Sequence, residues 1–224
     1  MNIPQIKLIQ SKGQLMHNDD IIVLDPDSDF GNLTIKYFVI LTRIAKVNLE
    51  LEKLYKDFKN IDYYDENPIV YPKLDDCYDY HKVEQIIYDL RVSTDQLICL
   101  SYVLNYKRIN GKYPKKIKID CIGKYLKTQT EYLAEYGPFK NFLEKLNQVS
   151  NAYKHSFLNG QTMNLRGSFE PVLFALDLKY NDKSEKPVFY SIKLVGIIKE
   201  FDEMFQVLNN KLRENTIADI GNNK

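Results

Sequence analysis

Apolar side chains recur at the three-and-four spacing of a helix face in five stretches of the chain. Leu33, Tyr37, Ile40, Ile44, Val47, Leu51, Leu54, Tyr55 and Phe58 share one stripe of a long helix opening near Asn32. From Lys82 to about Lys107 a second stripe carries Val83, Ile86, Ile87, Leu90, Thr94, Leu97, Ile98, Ser101 and Leu104, and its small residues Thr94 and Ser101 let a neighbouring helix approach closely. A shorter helix is expected from about Ile119 to Ala134, with Ile119, Ile122, Leu126 and Leu133 on one side and Asp120 favouring its amino-terminal end. The fourth, Pro138 to Asn159, sets Phe139, Phe142, Leu143, Leu146, Val149, Tyr153 and Phe157 against a polar face of Glu144, Gln148, Asn151 and His155. In the last, Ser191 is placed as a cap before Leu194, Ile197, Ile198, Phe201, Phe205, Leu208 and Leu212, and the helix frays after Asn215 to leave 216–224 as a disordered tail.

The intervening segments change period. Residues 1–30 mix short apolar runs with Gly13, Asn18, Asp25, Pro26 and Asp27, the pattern of a short extended or β arm. Residues 60–80 combine acids and tyrosines around Pro68 and Pro72 and read as a solvated loop, since no EF-hand spacing is present. The runs Val172 to Tyr180 and Pro187 to Tyr190, split by a polar turn with Asn181-Asp182, read as a β-hairpin within 172–190. The expected fold is therefore mainly α, an antiparallel helical bundle over 31–215 with a small hairpin before the last helix.

Composition narrows the class further. At 224 residues, 44% hydrophobic and 27% charged, the chain suits one globular core. A net charge of +1 means that attraction to nucleic acid must come from a local patch. Cys77, Cys99 and Cys121 form no CxxC pair and suggest free thiols in a reducing, cytoplasmic setting. No apolar run approaches the ~20 residues of a membrane helix.

Such a patch lies between Tyr106 and Lys118, where Lys107, Arg108, Lys112, Lys115 and Lys116 surround an Asn110-Gly111 turn with Tyr106 and Tyr113 interleaved. Cations with aromatics suit phosphate contact and base stacking, which makes RNA a candidate partner there; a solvated loop has the same composition and is the plainer reading. Arg91 and Asp95, one turn apart, are expected to form a surface pair. The sharper expectation is that Arg91 reaches the polar face of the 138–159 helix and supplies a guanidinium there. His17, His81 and His155 fall in different elements with no metal-ligand spacing, and no GxSxG or glycine-rich phosphate loop occurs, so neither metal, cofactor nor serine chemistry is expected. The plain reading of His155 is a cation at a helix end.

The segment Ser150-Asn151-Ala152-Tyr153-Lys154-His155 resembles the signature end of the HEPN superfamily of helical-bundle proteins. In that family's nucleases the pattern is Arg, a polar residue, three more residues, then His. Asn151 and His155 match it, and Ser150 stands where the arginine would be. The Lys-His-Ser ending followed by a hairpin and a last helix looks most like the Cthe-2314-like branch. The resemblance implies a homodimer or paired subunit cutting RNA without metal, with His155 moving the 2′-hydroxyl proton, Asn151 beside it and Lys154 as the nearest source of positive charge. An ammonium lacks the fork of a guanidinium, and losing such a clamp costs ~2.7–4 kcal/mol in the transition state. Two functions are therefore expected. One is a non-catalytic module that pairs with itself, a partner protein or RNA. The alternative is a metal-independent endoribonuclease of the toxin-antitoxin or phage-defence type.

Overall fold

In the computed structural model the described residues are 2–8, 22–59, 74–128, 130–159 and 170–221. The order is α1 (Leu33–Lys59), α2 (Leu74–Asn110), α3 (Ile122–Lys127), α4 (Lys140–His155), β1 (Val172–Asp177), β2 (Val188–Lys193) and α5 (Leu194–Gly221). A 3-10 segment, Glu131–Phe139, links α3 to α4, and a second, Lys179–Asn181, follows β1. The mainly helical architecture with one antiparallel hairpin before the last helix is the one the apolar spacing predicts.

Helix α1 starts where Asn32 Oδ1 accepts the Ile35 N–H at 2.9 Å, an amino-terminal cap. Its stripe from Leu33 to Tyr55 is buried. Along the central α2 the core continues through Val83, Ile86, Ile87, Leu90, Leu97 and Ile98. The small Ser101 gives room for Tyr136, whose hydroxyl lies 3.0 Å from Ser101 Oγ and which is sealed from solvent. Asp89, buried on α2, receives Arg43 at 3.1 Å and Lys46 at 3.0 Å and joins α2 to α1.

Several boundaries differ from those read in the sequence. Residues 74–80, expected in the acidic loop, belong to α2, and 60–73 lie outside the described residues. The helix expected over 119–134 is broken. Thr128 and Thr130 are both extended, and the Thr130 side chain caps the 3-10 segment. Two β-branched residues so close together favour that break. Only Ile122–Lys127 is α-helical, with 131–134 in the 3-10 segment; the first N–H of the α-helix is received by Asp95 Oδ1 of α2 at 2.7 Å, while Asp120 instead pairs with Lys124. Ser191 is not a cap but a strand residue paired with Phe174; α5 grows directly out of β2, and the Leu194 N–H donates to the Pro171 carbonyl. The α5 backbone stays helical to Gly221, past the expected end at Asn215.

The amino-terminal arm packs as extended chain rather than as a regular strand among its described residues. Asn48 of α1 clamps it, accepting the Ile6 N–H and donating to the Ile6 carbonyl, both at 2.9 Å. Asp202 of α5 accepts the Lys7 N–H at 2.8 Å, so the arm ties the first helix to the last. Residues 156–159, past the end of α4, lie along β1: Ser156 Oγ accepts the Leu178 N–H at 3.1 Å and Asn159 Oδ1 the Leu176 N–H at 2.9 Å.

Candidate functional site

Helix α4 has the two faces its sequence implies. Phe142, Leu143, Leu146, Val149 and Ala152 are buried, while Gln148, Asn151, Lys154 and His155 are exposed. Phe157 departs from the expected packing stripe and is 88% exposed. The helix ends at His155, because Ser156 turns into extended backbone and rotates the residues after it off the buried side.

That end is closed by the hairpin. Asn181 donates from Nδ2 to the His155 carbonyl at 2.9 Å and accepts the Phe157 N–H on Oδ1 at 2.8 Å. To do so the chain adopts left-handed backbone at two consecutive side-chain-bearing residues, Tyr180 at φ 56 and Asn181 at φ 54. Asparagine tolerates that region; tyrosine does so only at a cost. The result is a Tyr180 ring 88% exposed, with Lys179 Nζ 5.5 Å from its centroid. His155, Lys154, Phe157, Lys179 and Tyr180 thus gather around one helix end. Among the described residues the imidazole of His155 makes no hydrogen bond or ion pair.

Arg91 pairs with Asp95 and reaches α4, but the pair is not on the surface and the contact is not on the polar face. Its Nε donates to Asp95 at 3.0 Å, and one terminal nitrogen donates to Asn147 Oδ1 at 2.6 Å and to Ser150 Oγ at 3.1 Å on α4. The pair is not a surface one, since the Arg91 side chain is only 16% exposed. Burial raises the Asp95 carboxyl above the ordinary range even though Arg91 and the Ile122 N–H favour its charge. The guanidinium does not face His155. His155 is five positions beyond Ser150, which is ~140° of rotation and ~7.5 Å of rise on an α-helix.

The basic cluster is a separate place. Arg91 touches Ser150 while Ser101 touches Tyr136, so α4 runs antiparallel to α2 and His155 lies toward the opposite end from Lys107. The sixteen-residue step along α2 from Arg91 to Lys107 spans ~24 Å. Lys107 is itself engaged, donating to Asp25 at 2.8 Å and to the Tyr113 hydroxyl at 3.1 Å, with Nζ 4.5 Å from the Tyr113 ring. Those partners hold the Asp25 carboxyl down at about 2. Tyr106 packs with Tyr102 and Tyr132, its ring 5.1 Å from that of Tyr132. The two aromatics of this loop are therefore packed rather than offered for stacking. Arg108, Lys112, Lys115 and Lys116 are exposed.

Sequence reasoning did not mark Phe157, Tyr180 or Asn181 as site residues. Asn181 carried a signal only as a turn former, and pairing that turn with the end of α4 is a long-range contact that no local pattern encodes. Among the described residues no group of three His, Cys, Asp or Glu side chains could hold a metal ion, and no helix is long and apolar enough to cross a membrane. Cys99 and Cys121 are free thiols. Compared with protein-family models, curated proteins and solved structures, the chain matches none.

Proposed function

We propose that the chain is a HEPN-like bundle that binds single-stranded RNA at the junction of α4 with the hairpin and does not cut it. The observation that carries this reading is the placement of Arg91. The guanidinium nearest the motif position is engaged by Asp95, Asn147 and Ser150, on a side of α4 turned away from His155. A transition-state clamp needs donors aimed at the reacting phosphate, and these are aimed at the protein. Binding needs less. Two bare aromatic rings, Phe157 and Tyr180, with the exposed Lys154 in the last turn of α4 and Lys179 between the Tyr180 ring and Glu185, are what base stacking and phosphate attraction use.

The test is a titration of the full chain with fluorescent single-stranded RNA in chelator, with the RNA then resolved on a denaturing gel. Saturable binding with intact RNA is expected, and Phe157→Ala or Tyr180→Ala should each weaken it roughly 5- to 150-fold, the equivalent of ~1–3 kcal/mol per stacked base. Lys154→Ala should lessen the salt dependence. Metal-independent cleavage abolished by His155→Ala would replace this reading with the endoribonuclease one, for which the joint exposure of Asn151, Lys154 and His155 speaks. Absence of RNA binding would sink the RNA reading.

A further inference from the structure

The two edges of the β1–β2 ribbon are not alike. Leu176 lies opposite Phe189, and its N–H leaves the ribbon for Asn159 Oδ1 at 2.9 Å. In an antiparallel ladder two residues directly opposite each other either both bond across it or both point out of it. The N–H and C=O of Phe189 therefore point away from β1, and so do those of Ser191 two residues on. The Leu194 N–H, at the alternate position, donates across to Pro171, which fixes the same phase. Among the described residues no hydrogen bond reaches these outward groups, no residue of β2 is buried, and Val188 and Phe189 are 48% and 50% exposed. Edge strands ordinarily protect themselves with charge or a kink, and Val188 to Ile192 carries neither charge nor proline.

We infer that the outer edge of β2 takes up an extended segment of a partner protein as a third strand, apolar at alternate positions. What the edge offers is main chain: donors and acceptors repeating at every second residue, the pattern that an extended peptide matches. Side chains select what lies on it. Leu173 and Ala175 are sealed on the inner face, so Phe174 and Phe189 stand on the solvent face, their rings 6.1 Å apart and 9° from parallel. A strand laid beside β2 with an aromatic or β-branched residue next to Phe189 continues that row. Pro187 has no N–H to give at the turn end, and α5 begins at Leu194, so the added strand is short. A second copy fits less well. Pairing β2 with β2 about Ser191 sets Phe189 against Lys193, whose amine is held by Glu170 at 2.5 Å, and interrupts the aromatic row. The other edge is filled by Ser156 and Asn159, so the ribbon gains one strand only. The β2 edge lies across the ribbon from Phe157, and the inference does not depend on the RNA reading.

Selection of a phage-displayed library of random short peptides on the full chain tests it. Peptides apolar at every second position are expected, and a synthetic copy of one should protect the Phe189 and Ser191 amides from hydrogen exchange. Methylating alternate peptide nitrogens in one phase should abolish binding, and in the other phase leave it. Ser191→Pro removes an outward N–H and none of the bonds to β1, so it should weaken the peptide about tenfold or more with circular dichroism unchanged. Phe189→Lys puts charge on the edge and should give the same loss, which covers the case of a proline that disturbs the strand. Selection that yields no such peptide, or peptides whose binding survives both substitutions, overturns the inference. Protection of the same amides in the free chain, rising with its concentration, would give the edge to a second copy and overturn it as well.

Discussion

Arg91 donates to Ser150 Oγ at 3.1 Å across the contact between α2 and α4, at the position on α4 where nucleases of the resembled family carry an arginine of their own. A guanidinium is thus present near the motif but is supplied by another helix and used inside the bundle. Through Asp95 it also reaches the start of α3, because the same carboxylate accepts the Ile122 N–H at 2.7 Å.

Removing that side chain should be costly. Arg91→Ala leaves Asp95 half-buried without its counterion and strips the donors from Asn147 and Ser150, so a loss of about 2–3 kcal/mol in denaturant unfolding is expected. Arg91→Lys keeps charge without the fork and should lose about half as much. Equal stability of wild type and Arg91→Ala would mean that the cluster is not holding the two helices together.

Restoring the family's residue should not restore its chemistry. Ser150→Arg places a second guanidinium against Arg91 and Asn147, so the expected result is a chain less stable by about 1–2 kcal/mol. No metal-independent RNA cleavage should accompany it. A gain of cleavage by this single substitution would show that position 150 can serve His155 after all.

The pH dependence of stability should carry two opposite contributions. Lys107 and Tyr113 hold the Asp25 carboxyl at about 2 against an ordinary 3.8. Its folded value is depressed, so its stabilisation is present above pH 3.8 and is lost as pH falls toward 2; allowing for solvent screening it is about 1 kcal/mol. Asp95 is raised, so its ionised form costs stability above its folded pKa and the cost disappears on protonation at lower pH. Urea unfolding of wild type and Asp25→Asn should therefore differ at pH 6 and converge at pH 2. A gap that persists at pH 2 would contradict the assignment.

Strain and binding should separate at the hairpin turn. Tyr180 holds a left-handed φ of 56 with its ring almost wholly in solvent, so Tyr180→Gly should stabilise the chain by up to about 1 kcal/mol while weakening RNA binding. Asn181→Ala should do the reverse to the fold. It removes both bonds to the end of α4 and adds strain, for a loss of about 1–2 kcal/mol by thermal unfolding. A drop in stability with Tyr180→Gly would show that the ring has a packing role.

What the sequence made legible follows from how local each signal is. The stripes of α1, α2, α4 and α5 were readable because burial on one side imposes a period that 16 residues or more repeat several times. The polar line of Asn151 and His155 was readable for the same reason. The ends were harder. Pro138 announces a helix, but α4 proper begins two residues later, and Phe157 fits the stripe by spacing although Ser156 has already left the helix. Thr128 and Thr130 break a pattern that apolar spacing alone would continue. Lys107 counted as a free cation in the sequence, because nothing local shows that Asp25, 82 residues earlier, would claim it. Of the two readings of Arg91, the pairing with Asp95 was local and readable, whereas its contact with Asn147 and Ser150, off the line of His155, depends on how α4 lies beside α2.

The amides of Leu176, on β1, and of Leu178, just past it, are already taken by Asn159 and Ser156. A two-stranded ribbon with a bare border would invite a foreign strand to extend it, the usual start of polymerisation through sheet margins. On this side an incoming strand must first displace the segment after α4, and with it the peptide groups that Asn181 seals. Accretion at that border is thereby made to wait on release of Ser156 and Asn159, which directly follow the helix end that Asn181 holds at the His155 carbonyl.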